Sequence, residues 1–181
     1  MSELPRPIPT RAFKQQIHDF AERMSLALRF GPGDAIEPLV YRLGGKIALR
    51  NPIEFDDQIP ESIVVRSTSD FVIYVPSMTS PERDRFTIAH ELGHLMLHYP
   101  LFAKKHPNVP MVATRWVDET DKVQQRAEWE ANWFAAAFLM RKDDFIRISN
   151  ELKTLEKVAA AFAVSMSAAK IRAENLNITL Q

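Results

Sequence analysis

The segment RFTIAHELGHLMLH, residues 85–98, constrains this chain more than any other stretch. On a helix, side chains four apart lie on the same face, one turn above another. His90 and His94 can therefore offer two imidazole nitrogens to one ion, with Glu91 beside them and able to act on a water. Just upstream, Ser80-Pro81-Glu82 reads as a helix start: a capping hydroxyl, a proline at the first helical position, and an acid at the positive end of the dipole. The spacing predicts a helix over about 81–98. The plainer alternative for the same residues is a pair of surface histidines on an amphipathic helix.

Composition narrows what such a helix can hold. The 181 residues include no Cys, which excludes disulfides, thiolate metal sites, iron–sulfur clusters and a Cys nucleophile together. A metal must then be held by His and carboxylates. Lys plus Arg number 23 and Asp plus Glu number 23, so the basic field of a dedicated nucleic-acid binder is missing. Hydrophobic residues at 46% and charged residues at 25% fit a folded domain. The start, MSELPRPIPTR, lacks the apolar run of a signal peptide. No segment reaches the roughly 20 apolar residues needed to span a bilayer. The expected location is cytoplasmic, with no membrane partner.

Along the chain, Thr10 can cap a helix whose apolar stripe is Ile17, Phe20, Ala21, Met24 and Leu28, ending at Gly31-Pro32-Gly33. Asp34 can cap a short second helix that Gly44-Gly45 ends. Lys46–Arg50 reads as a strand, and Ser62–Arg66 with Phe71–Val75 as a hairpin, so a small antiparallel sheet is expected. Pro100, Pro107, Asn108 and Pro110 predict a long loop over 99–120. A helix over about 122–140 follows, then one started by Asp143 or Asp144. The tail reads as two helices with a turn at Val164-Ser165. The expected class is α+β and mainly helical, divided into 1–145 and a C-terminal helical subdomain, 146–181.

A catalytic zinc site wants three protein ligands and an open position. The candidates for the third are His98, His106, Glu128 and Glu130. His98 continues the series, but one straight helix cannot wrap three successive turns around a tetrahedral ion. The extended HExxHxxGxxH arrangement is absent, since Leu97 and Pro100 stand at its Gly and His positions. A second helix delivering an acid remains. Glu128 and Asn132 share a face there, so one can bind metal while the other orients a ligand His. Glu130 points about 200° away around that helix and is expected to be solvated. Ala131 and Ala135–Ala137 are small enough to let the helix approach the HExxH helix closely. Trp133, Phe134, Phe138 and Leu139 read as core.

These residues resemble the ImmA/IrrE metallopeptidases, a gluzincin-like family. The matching segments are RFTIAHELGHLMLH, then EWEANWFAAAFLM, with IVVRSTSDFVIYVPSMTSPERDRF before them. The resemblance spans about Asp34 to Leu176. It implies a zincin-like core with zinc (Zn2+) on His90, His94 and Glu128, and Glu91 as the catalytic acid/base. Arg141 departs from the family's usual Pro after Leu-Met, and the first 33 residues are too short for the N-terminal helix-turn-helix domain of many relatives. The chain thus resembles the stand-alone form. For oxyanion or substrate contacts, His98, Tyr99, His106 and Arg115 are the candidates.

The implied activity is zinc-dependent hydrolysis of a peptide bond in a cytosolic regulatory protein, typically a phage or mobile-element repressor of the helix-turn-helix type. Two alternatives stand beside it: a non-catalytic zinc module that binds a protein, as in a toxin–antitoxin-like pair, and a DNA-contacting stress regulator. The tail LEKVAAAFAVSMSAAKIRAENL resembles half of a helix-turn-helix. Its Lys153, Lys157, Lys170 and Arg172 stand against Glu151, Glu156 and Glu174, which disfavours a nucleic-acid partner.

Overall fold

A computed structural model describes residues 5–50, 61–77, 79–114 and 116–181. The first helix, α1, is Lys14–Ala27 and buries Ile17, Ala21 and Ser25. It does not begin at Thr10. The Gln16 side chain reaches back to accept from the Phe13 N–H at 2.9 Å, while the Thr10 hydroxyl is committed to Glu130. The next helix, α2, is Glu37–Arg42 with Pro38 in its first turn. Asp34 lies outside it, because its carboxylate accepts the Gly31 N–H at 2.7 Å and closes the preceding turn instead.

Strand β1, Gly45–Arg50, is launched from Gly44, which sits at φ +88° with Ser69 O only 2.3 Å from where a Cβ would stand. Only glycine fits there. Strands β2, Glu61–Ser67, and β3, Asp70–Pro76, form the expected hairpin through a two-residue turn. The sheet is nevertheless mixed. β1 runs parallel to β3, and β2 pairs on its other side with an antiparallel β4, Met111–Thr114, in the order β1-β3-β2-β4. β1 lies beside β3 and not beside β2, the next strand in sequence, and no local pattern encodes that choice. In β3, Phe71, Ile73 and Val75 alternate with less buried residues, and with Ile63 and Val65 they form the core face of the sheet.

Helix α3, Pro81–Gly93, starts as its sequence dictates, Ser80 Oγ accepting from Arg83 N. It does not stop at 98. A π-helical turn, His94–His98, leads into α4, Tyr99–Lys105. Pro100 has no N–H for Met96 O, and in a regular α-turn its ring would crowd that carbonyl; a wider turn absorbs both effects. Half of the expected 99–120 loop is therefore regular structure, α4 and β4. The apolar MVAT run is too short to announce a strand, and its ladder partner is 50 residues away in β2.

Helix α5, Lys122–Leu139, is capped by Asp121, which accepts from Gln124 N at 3.0 Å, and packs against both α1 and α3. Three further helices follow: α6, Lys142–Leu152; α7, Leu155–Phe162; and α8, Met166–Asn175. α6 begins just ahead of Asp143, and Ser165 caps α8 by accepting from Ala168 N. Phe145 and Phe162 stack at 5.4 Å to join α6 and α7. Fully buried Arg172 donates to Met140 O at 2.8 Å and pairs with Glu22 of α1 at 2.6 Å. The architecture is α+β and mainly helical, as the periodicity predicts. Among the described residues no helix is long and apolar enough to cross a membrane.

Candidate metal centre

His90, in the last turn of α3, and His94, first residue of the π-helical turn, project toward α5. The approach of the two helices is set at Gly93, where a Cβ would stand 3.1 Å from Ala131 Cα, 3.2 Å from Ala131 O and 3.3 Å from Phe134 Cβ. Two small residues facing each other let the backbones come this close. Glu128, one turn before Ala131, is thereby carried onto the histidine pair.

The three side chains form a compact triangle, closed through both oxygens of Glu128. His90 Nε2 is 3.1 Å from His94 Nε2 and 3.1 Å from Glu128 Oε2, and His94 Nε2 is 3.2 Å from Glu128 Oε1. Zinc bonds to nitrogen and oxygen of 2.0–2.1 Å imply edges of about 3.3 Å for a regular tetrahedron. The spacing of the two imidazole nitrogens is close to that figure, and the carboxylate reaches each ring with a separate oxygen, so this His-His-Glu donor set fits zinc. Among the described residues this is the one group of at least three His, Asp or Glu side chains with metal-ligand spacing. His94 is fully buried, whereas Glu128 is about a quarter exposed, so the group opens to solvent on the Glu128 side.

Electrostatics separates the two imidazoles. Burial works against a charge on His90, but hydrogen bonding and charge attraction to Glu128 outweigh it and push its pKa up to about 9. Burial dominates at His94 and pushes it down to about 4. At Glu128 burial is overcome by the hydrogen bonds from both rings, which hold the carboxyl well below its usual range.

Around the triangle, Asn132 Oδ1 lies 3.0 Å from His90 Nδ1, on the face of α5 it shares with Glu128. Glu91 is buried, and the Ser62 hydroxyl at the start of β2 donates to its Oε2 at 3.1 Å. Ser62 carries no sequence signal; the register of the sheet puts it there. Tyr99 turns away, its hydroxyl donating to Arg66 O at 2.7 Å. His106 is exposed beyond α4 and rests against Phe102 with ring centres 4.9 Å apart. Arg115 lies outside the described residues. His98 is fully buried behind His94, with 3.0 Å between their Nδ1 atoms, so it does not face the open side.

Glu130 requires a correction. It is fully buried rather than solvated. Its Oε2 accepts from Thr10 N at 2.7 Å and Thr10 Oγ1 at 2.8 Å and faces His98 Nε2 at 3.1 Å; its Oε1 accepts from Arg11 N and Arg126 Nε, both at 2.8 Å. The helical wheel put it on the right side of α5 for this. What the wheel could not show is that the 5–13 segment covers that side. Burial opposes its charge, and the bonds from His98, Arg126 and Thr10 prevail, holding the carboxyl far below its ordinary pKa.

A search of curated proteins returns no match. Among solved structures, the chain is similar to a Mycobacterium tuberculosis transcriptional regulator, at 17% identity and a TM-score of 0.55. The likeness covers 86% of this chain and 45% of that one, so this chain spans less than half of its length. At that identity the match speaks for the fold alone. A peptidase family model described as the IrrE N-terminal-like domain matches residues 61–174, which hold β2 through nearly all of α8 and every donor of the triangle. By that match over more than half its length, and with the HExxH helix and the third donor in place, the chain belongs to the ImmA/IrrE metallopeptidase family.

Proposed function

We propose that the chain is a zinc-dependent endopeptidase that cuts a peptide bond in a regulatory protein, a repressor of the helix-turn-helix type being the class its family implies, and that it acts in the cytoplasm. The observation that carries this reading is the cluster of His90, His94 and Glu128, whose ring nitrogens and two carboxylate oxygens lie 3.1–3.2 Å from one another in turn, beside the buried carboxylate of Glu91.

His90 Nε2, His94 Nε2 and the Glu128 carboxylate would hold zinc, which would supply Lewis acidity toward a peptide carbonyl and toward a water, whose pKa such an ion lowers from about 15.7 to about 7. The chain's own groups do the rest. The Ser62 hydroxyl fixes the Glu91 carboxylate by donating to Oε2. Glu91 takes the proton of the attacking water and returns it to the leaving amine nitrogen. Asn132 accepts from His90 Nδ1, which leaves the Nε2 lone pair directed at the metal. The buried side of the triangle keeps water from His94, and the Glu128 side admits the peptide. As part of the same reading, residues 146–181 act as a helical docking subdomain on 1–145, a division whose joint lies inside α6 and is fastened by Arg172.

A Glu91→Gln variant tests the activity against a non-catalytic binding module. It keeps stoichiometric zinc and partner capture and loses cleavage by about 10²- to 10⁴-fold, the usual contribution of a positioned proton-transfer group. A variant that cuts a verified substrate as fast as the parent overturns the assignment.

A further inference from the structure

The proposed mechanism leaves one buried titratable pair unused. His98 and Glu130 lie behind the triangle, both side chains fully buried, with no role in holding the ion. We infer that they are positioning residues: through one line of hydrogen bonds they fix His94 in the tautomer that presents Nε2 to the metal, and Thr10 and Arg11 of the N-terminal segment anchor the far end of that line. This rests on the reading of the triangle as a zinc site.

The line has a single self-consistent proton assignment. His94 Nε2 faces His90 and Glu128, so as a ligand it must carry a lone pair. Its hydrogen then sits on Nδ1, 3.0 Å from His98 Nδ1, which has to accept. The His98 hydrogen is left on Nε2, 3.1 Å from Glu130 Oε2, and an ionised carboxylate can only accept. The opposite tautomer of His98 would aim two N–H groups at each other and a lone pair at a carboxylate. No water relieves that conflict, since His94, His98 and Glu130 are all at 0% exposure. A wider π-helical turn, and not a regular α-turn, spans His94–His98 and sets the two rings 5.0 Å apart.

The terminal acid is held from three directions. Besides His98, it receives Thr10 N, Thr10 Oγ1, Arg11 N and Arg126 Nε. Arg11 takes a left-handed backbone, φ 59°, to deliver its N–H. A non-glycine residue adopts that conformation only where its surroundings demand it. A simple staple for the N-terminal segment would need the carboxylate but not its contact to His98. The continuous route to a ligand nitrogen is what separates positioning from stapling. His90, by contrast, leans on one neutral amide at the exposed rim.

The test measures zinc affinity of the full chain by chelator competition, alongside thermal unfolding. His98→Phe and Glu130→Gln are each expected to weaken zinc binding by about 10- to 100-fold, the usual effect of removing the group behind a metal-bound imidazole. The double variant should lose about as much as His98→Phe alone, because both act through one line. Arg172→Met breaks an unrelated buried ion pair; it should lower the melting temperature and leave zinc affinity unchanged. Folded His98→Phe that binds zinc within about twofold of the parent overturns the inference while leaving the zinc reading intact. A parent that takes up no zinc overturns both. If the variants do not fold, nitrogen chemical shifts of the zinc-loaded parent decide: hydrogens on His94 Nδ1 and His98 Nε2 support the line, and a His98 hydrogen on Nδ1 overturns it.

Discussion

His18 shows how a single residue ties stability to pH. Its ring is buried between α1 and α8, and Nε2 has no hydrogen-bond partner among the described residues. Burial first, then the positive charges of Arg172 and Lys14, push its pKa down to about 4. The folded chain therefore binds fewer protons here than the unfolded chain at any pH from 6.5 down to 4. Stability from this site is fully present above pH 6.5 and is lost as pH falls through 4, by ~3 kcal/mol at most. Urea unfolding at pH 7, 5.5 and 4 should show His18→Phe losing less than the parent. Equal losses in both would contradict the assignment. His18 reads as polar in sequence, and only the docking of α8 makes it buried. Glu130 taught the same lesson: its exposure was decided by residues 10–13, more than a hundred positions away.

At the scale of elements, the contact between α3 and α5 governs the site, and Gly93 is its control point. On an isolated helix, Gly→Ala is worth up to ~1 kcal/mol of stabilisation. Here the new methyl would meet Ala131 and Phe134 at 3.1–3.3 Å, tighter than ordinary contact, and overpacking of that kind costs ~1–3 kcal/mol. Packing outweighs propensity, so Gly93→Ala should lower the melting temperature and also weaken zinc binding as Glu128 is pushed from the histidines. A rise in melting temperature would show that the helices have room to spare. A helix end offers a simpler case: Ser165→Ala removes the cap that accepts from Ala168 N and should cost ~1 kcal/mol in denaturant unfolding. Helix starts such as Ser80 and Ser165 were readable because capping is local chemistry. The continuation through Pro100 and the strand at 111–114 were not, because a π-turn and a four-residue ladder depend on distant partners.

Across the whole molecule, zinc held as proposed and the C-terminal helices would be coupled to folding in different ways. A zinc ion that binds only the folded chain adds ~4 kcal/mol when its free concentration is about 1,000 times the Kd. Chelation should therefore lower the melting temperature of the parent and leave a Glu128→Gln variant, already weak in zinc, nearly unmoved. The same shift in both would place the metal elsewhere. Arg172 ties α8 to Met140 O and Glu22, and its replacement by Met removes the donor to Met140 O and leaves Glu22 with the Lys142 N–H alone. A loss of roughly 2–3 kcal/mol is expected, below the full cost of a broken buried pair because Glu22 keeps some contact with water. Limited proteolysis should then cut first within 146–181. Unchanged cutting would mean that Arg172 is not the fastening.

By itself the sequence determined the HExxH helix and its cap, the apolar stripes, and the sharing of one helix face by Glu128 and Asn132, because each follows from one helical period or one short-range hydrogen bond. Tertiary structure alone decided the parallel pairing of β1, the Ser62 contact to Glu91 and the burial of His98 and Glu130. Those depend on which surfaces meet across long stretches of chain, and a buried charge is settled by the donors gathered around it rather than by its own neighbours in sequence.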